Sequence, residues 1–218
     1  MPSIVSRSKK FIFLKVSRAA SSTVEHVFKL TGMVDESSND VVNGAPDLQI
    51  QTPQSLLALH YNMADLLANN IATHEEADTF PVYAFYRDPI DRFVSGVAFS
   101  KYMMPEYAKQ ILPDVASMSY DNFLDNIDLL KKEFVIFAPQ SYWLDNPKVT
   151  VFSFNSFSDG MKTMLSNHGC VDPKNLITKE RIKTSLEYKE LMPELTDAQK
   201  LKILSVYGDD ISLAPTGE

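Results

Sequence analysis

The chain has 218 residues, 44% hydrophobic and 22% charged, which suits one sizeable domain over residues 1–218 rather than two. Its formal net charge of −7 disfavours duplex nucleic acid as a partner, yet leaves room for a small anion met by locally placed cations. Apolar runs such as 11–14 and 134–138 are too short to cross a bilayer, and no apolar h-region follows the polar, basic start at residues 1–10. The single cysteine, Cys170, forbids an internal disulfide, so a cytoplasmic protein without membrane attachment is expected. His26, His60, His74 and His168 have no metal-ligand spacing, and no metal is expected.

In chain order, residues 10–17 (KFIFLKVS) read as a strand and 22–30 as a helix with Val24, Val27 and Phe28 on one side. Ser22 and Glu25 have the spacing of a capping box. Residues 53–70 carry Leu56, Leu59, Met63, Leu66 and Leu67 at helical spacing. Residues 80–86 predict a buried strand that ends at Arg87. Asp88-Pro89 supplies an N-cap and a first-turn proline for a helix to about Ser100, with Phe93, Val94 and Val97 facing the core. Residues 120–132 predict a helix, 134–137 a connector or short strand, and 140–144 a helical turn. A strand over 148–154, a helix over 156–168 ended by Gly169, and a helix over 196–207 capped by Thr196 complete the chain. Strands alternating with helices predict an α/β fold with a central parallel sheet flanked by helices. Ligands of such sheets sit beyond the strand C-terminal ends, here near 17–23 and 87–91.

The first of these junctions, KVSRAASST over residues 15–23, combines two cations, small residues and hydroxyls at a helix start. Free amides and the helix dipole make such a turn a place for an anion. Read plainly, it is a helix cap. It is not a Walker A loop, since no glycine precedes Gly32. At the second junction, YRDPIDRFVS over 86–95, Asp88, Arg92 and Ser95 share a helix face beside Arg87. A guanidinium fork with a hydroxyl grips phosphate well. The plain alternative is a capped helix with a surface Asp88–Arg92 pair.

Together the two segments resemble the signatures of the sulfotransferases that use 3′-phosphoadenosine-5′-phosphosulfate (PAPS). FLKVSRAASSTV resembles the 5′-phosphosulfate loop of the carbohydrate sulfotransferases, particularly the galactose-3-O-sulfotransferase form. YRDPIDRFVSGV resembles the 3′-phosphate element R-[ND]-P-x-x-R-x-x-S. FAPQSYWL and the C-terminal LTDAQKLKILSVYGDDISL, with its Tyr-x-x-Asp run, echo further segments in the family's order.

The resemblance implies a P-loop-like three-layer sandwich and transfer of a sulfuryl group from PAPS to a hydroxyl acceptor, a small molecule or a glycan, with PAP as product. It puts Arg18 at the position of the catalytic lysine, with Lys15 sharing the role. It gives the 5′-phosphosulfate to Arg18, Ala19, Ala20, Ser21, Ser22 and Thr23, and the 3′-phosphate to Arg87 and Ser95. His60 is the candidate general base, by its interval before Arg87 and its likeness to the uronyl 2-O-sulfotransferase branch; Glu25 or Asp65 are alternatives. The sequence departs from the pattern at Arg18 for lysine, Ala19 for threonine, and Ser17 where proline or histidine is usual. Those departures motivate a second reading, a degenerate module that binds PAP, PAPS or glycan without turnover. A P-loop kinase or NTPase fits less well, for want of glycine. Tyr102, Tyr107, Tyr120, Tyr142 and Trp143 are candidates for either an acceptor pocket or plain packing. Lys179, Arg181 and Lys183 fall where the family closes a loop over its nucleotide, or form a solvated basic stretch.

Overall fold

A computed structural model describes residues 3–35, 37, 39–41, 60–171, 188 and 191–215. Among these residues a four-stranded sheet runs β1 (Ile4–Ser6), β2 (Phe11–Leu14), β3 (Val82–Tyr86), β4 (Val149–Ser153), in that spatial order. β2, β3 and β4 are parallel, with Ile12 opposite Val82 and Val82 opposite Val149. They are the three strands expected from the sequence. β1 was not expected, and it pairs antiparallel to β2 with Ile4 opposite Phe13, so the sheet is mixed rather than wholly parallel. The reason is local. Three apolar-to-small residues in a polar segment give no periodic signal, and a tight turn over 7–10 with Lys10 at φ 56° folds them back onto β2.

β2 and β3 are buried along their whole length, as strands in the middle of a sheet should be. Helix α1 (Ser21–Thr31) lays Phe28 edge-on against Phe11 and Phe13, at ring separations of 5.3 and 5.6 Å. Two short helices follow, α2 (Met63–Ala68) and α3 (His74–Thr79), each begun by a reciprocal cap at Asn62 and Thr73. Only the end of the helix expected over 53–70 can be compared, because 53–59 lie outside the described residues. Helix α4 (Pro89–Ala98) starts as expected: the Asp88 side chain accepts the Asp91 amide and Pro89 occupies the first turn. It then widens into a π-helical turn, Phe99–Met103.

Past the short α5 (Pro105–Ala108), the expected helix over 120–132 breaks at Asn126 into α6 (Tyr120–Asp125) and α7 (Ile127–Glu133). Residues Val135–Phe137 form a 3₁₀ turn and Ser141–Leu144 form α8. Helix α9 (Phe157–Asn167) packs Phe157 on Phe85, 4.8 Å between rings. It approaches so closely at Gly160 that a Cβ there would lie 2.9 Å from Phe152 Cβ. The last helices of the described residues are α10 (Asp197–Val206), capped by Thr196 as expected, and α11 (Gly208–Ile211). No helix of the described residues is long and apolar enough to cross a membrane.

Candidate functional site

Both strand-to-helix junctions lie at the C-terminal ends of neighbouring parallel strands, β2 and β3, and they touch. The first is an irregular turn in which Arg18 and Ala20 both adopt φ 64°. A left-handed L-residue costs about 1–2 kcal/mol, so this turn is held against its own preference. Ala20 occupies the N-cap of α1 and offers no side-chain bond. The expected Ser22–Glu25 capping box is therefore not formed. Glu25 is instead drawn to Lys15, whose Nζ lies 2.5 Å from Glu25 Oε2 with both side chains buried. A buried carboxylate needs a cation more than a helix end needs a cap, since an unpaired buried charge costs several kcal/mol. The Ser21 hydroxyl donates to the Val16 carbonyl at 2.8 Å. Among the described residues, no hydrogen bond is made by the amides of Ser21, Ser22 and Thr23, as at any uncapped helix start. Ala19 and Thr23 are buried, and Ser22 is exposed.

The second junction presents Arg87 and Ser95, both buried. Arg87 Nη1 donates to the Arg18 carbonyl at 2.9 Å, and its Cζ lies 4.5 Å over the Phe154 ring. Its only carboxylate contact among the described residues is a 3.9 Å approach to the half-exposed Asp91. Arg18 crosses the other way: Nε and Nη2 donate to Ser95 Oγ at 3.2 and 3.0 Å, and its Cζ sits 4.5 Å over Phe99. Arg92 turns inward rather than pairing with Asp88. Its guanidinium donates to the carbonyls of Ser17, Ile136 and Ala138, at 3.0, 3.3 and 2.6 Å. Three guanidiniums therefore gather around residues 17–18. Burial, then the charges of Arg87 and Arg92, push Arg18 down to about 9, so it remains a cation at neutral pH. Burial likewise lowers Arg87 and Arg92. Two buried polar atoms at this place, Arg87 Nε and Ser17 Oγ, have no hydrogen-bond partner among the described residues. A cationic cluster with spare donors is chemically suited to a phosphate or phosphosulfate.

Lys15 and His60 stand behind the loop. Burial lowers Lys15, partly offset by Glu25. His60 Nδ1 lies 2.7 Å from the Lys15 carbonyl. A carbonyl only accepts, so Nδ1 carries the proton and Nε2 keeps the lone pair. Burial pushes His60 down to about 3, which leaves it neutral and a weak base. Trp143 Nε1 donates to the His60 carbonyl at 2.7 Å, and the Tyr142 hydroxyl donates to the Asp65 carboxylate. Trp143, Tyr107 and Tyr120 are buried in the core; Tyr142 is half-buried and Tyr102 is exposed. Lys179, Arg181 and Lys183 lie outside the described residues.

Sequence reasoning did not assign Gln140 and Asp210 to the site, although both fall in segments it singled out. Gln140 grips the backbone of Arg87 twice: Oε1 accepts its amide at 2.9 Å and Nε2 donates to its carbonyl at 2.8 Å. The buried Asp210 carboxylate accepts the amides of Gln140 and Ser141 at 2.8 and 3.0 Å. The two echo segments thus meet to hold the strand end that carries Arg87. Among the described residues no cluster of His, Cys, Asp and Glu is arranged to hold a metal.

Residues 1–213 match the model of the Sulfotransferase family. No curated protein and no solved structure is similar enough to match the chain.

Proposed function

The chain belongs to the sulfotransferase family, and we propose that it moves a sulfuryl group from PAPS to a hydroxyl acceptor, a small molecule or a carbohydrate, within a P-loop-like α/β domain. The observation that carries the choice of donor is the meeting of two junctions 69 residues apart, Arg87 Nη1 on the Arg18 carbonyl, in a cationic cluster with unpartnered donors. A nucleotide with anionic groups at both its 3′ and 5′ ends needs two such grips side by side.

In this reading the amides of Ser21, Ser22 and Thr23 and the dipole of α1 hold the 5′-phosphosulfate, with Ala19 and Ala20 keeping the backbone approachable. Arg87 and Ser95 hold the 3′-phosphate. PAPS supplies the activated sulfuryl group. The chain's contribution is to align the donor and to meet charge on the leaving phosphate oxygen with fixed N–H groups; one well-placed donor of this kind is worth roughly 3–4 kcal/mol. His60 Nε2, unprotonated in the assigned tautomer, is the candidate to take the acceptor's proton, although its low basicity limits the ~10²–10⁴-fold that a well-tuned base supplies.

One observation favours the second reading, a module that binds the nucleotide without turnover. Lys15 is paired with Glu25 and the Arg18 guanidinium is turned toward Ser95, so neither places at the reacting end the free ammonium that the family's lysine provides. Incubation with radiolabelled PAPS and a panel of hydroxyl acceptors separates the two. Label transferred to an acceptor, and lost with Arg87→Ala, supports the transferase. Saturable PAP binding with no transfer to any acceptor supports the binding module. No binding of PAP at all removes both.

A further inference from the structure

The position of Arg18 in the 5′ loop pairs it with the sulfuryl end of the donor, but its side chain goes elsewhere. From the left-handed turn at φ 64° it extends to Ser95, 77 residues away, and gives that hydroxyl two N–H groups at 3.2 and 3.0 Å. Ser95 is fully buried and sits on α4, one turn from Arg92, while Arg87 stands just before the start of that helix. The geometry points to Arg18 as a ligand of the donor's 3′-phosphate, completing a pocket with Arg87 and Ser95, so that this side chain selects a 3′-phosphorylated nucleotide. This inference rests on the proposed use of PAPS.

Four features support it. Arg18 Nε and Nη2 make Ser95 Oγ the acceptor of two bonds, which leaves the hydroxyl hydrogen for an anionic oxygen brought against it. Arg18 Nη1 makes no hydrogen bond among the described residues, and Arg87 Nε is buried without a partner. The Phe99 ring beneath Arg18 and the Phe154 ring beneath Arg87 hold both guanidiniums at fixed places. Finally, no carboxylate forms an ion pair with Arg18 among the described residues, while Arg87 and Arg92 repel it. Such a trio is best relieved by an anion of more than one charge. A phosphate monoester is one, and a free 3′-hydroxyl is not.

A division of labour follows. The backbone of the 17–23 turn serves the 5′ end while its one side-chain cation, Arg18, serves the 3′ end. The leaving-group charge is then met by amides rather than by a side chain from position 18.

The test compares two nucleotides that differ only at the 3′ position, adenosine 3′,5′-bisphosphate and adenosine 5′-monophosphate, titrated into the full chain by calorimetry. Wild type is expected to bind the bisphosphate more tightly. Arg18→Ala is expected to weaken bisphosphate binding by about 10–100-fold and to change monophosphate binding by less than about threefold. Ser95→Ala, a smaller change, serves if the arginine variant does not fold, and should lower the bisphosphate preference alone. Equal weakening for both nucleotides places Arg18 at the 5′ end and overturns the inference while leaving the donor reading intact. An unchanged preference in Arg18→Ala and Ser95→Ala also overturns it, since their contact is then purely internal. Failure of wild type to bind the bisphosphate overturns the donor reading and this inference with it.

Discussion

Replacing Asp210 with asparagine tests whether the far C-terminus holds the site together. The Asp210 carboxylate is fully buried and accepts two backbone amides, Gln140 at 2.8 Å and Ser141 at 3.0 Å. Asparagine keeps one acceptor oxygen and turns an NH₂ toward the other amide. One charge-assisted bond is lost, a buried N–H is left unsatisfied, and the nearby Arg92 loses a favourable charge. At roughly 1.5–3 kcal/mol for a bond to a charged group, the expected loss is about 2–3 kcal/mol. For a chain of this size that corresponds to a fall in Tm of about 4–12 °C. Thermal and urea unfolding followed by circular dichroism measure it, with the exposed neighbour change Asp209→Asn expected within about 0.5 kcal/mol of wild type. The site should feel it too, because Gln140 holds both backbone groups of Arg87, the residue proposed to grip the 3′-phosphate. An Asp210→Asn protein losing under about 0.5 kcal/mol would refute the argument, since the two amides must then find other partners at no cost.

Other substitutions probe separate links. Gly160→Ala drives a methyl to within 2.9 Å of Phe152 Cβ and 3.0 Å of Phe85, so α9 must lift from the sheet, at a cost of about 1–3 kcal/mol in a urea melt. Ala20→Gly removes the left-handed penalty of about 1–2 kcal/mol and adds about 0.5–1 kcal/mol of unfolded-state entropy, so chemical denaturation should show a gain of up to about 1.5 kcal/mol. His60 has its folded pKa lowered to about 3, so its proton is bound only by the unfolded chain between about pH 6.5 and 3. Its contribution is full above pH 6.5 and is lost on acidification through that window. In His60→Asn, whose amide can still donate to the Lys15 carbonyl, the Tm should fall less steeply over pH 6.5 to 4 than in wild type.

Strands β2, β3 and β4, the Asp88-Pro89 start of α4 and the Thr196 cap of α10 were legible in the sequence because each rests on neighbours within a few residues: an apolar run, a side chain reaching its own third amide, a fixed proline φ. The two junctions and the hydroxyl- and arginine-bearing segments around them followed from the same local patterns. Where each charge goes did not. Glu25 has the spacing of a cap, yet burial brings Lys15 within reach and the ion pair outweighs a capping bond. Arg18 is written into one loop and finds its hydroxyl on a helix 77 residues on, and Gln140 bonds Arg87 53 residues before it and Asp210 70 residues after it. β1 escaped notice because three residues carry no period, and only its pairing with β2 makes them a strand. Short-range sterics and hydrogen bonding decide which elements form, and those are properties of adjacent residues. The partner of a buried ion is decided by desolvation, whose cost depends on everything the finished fold packs around it.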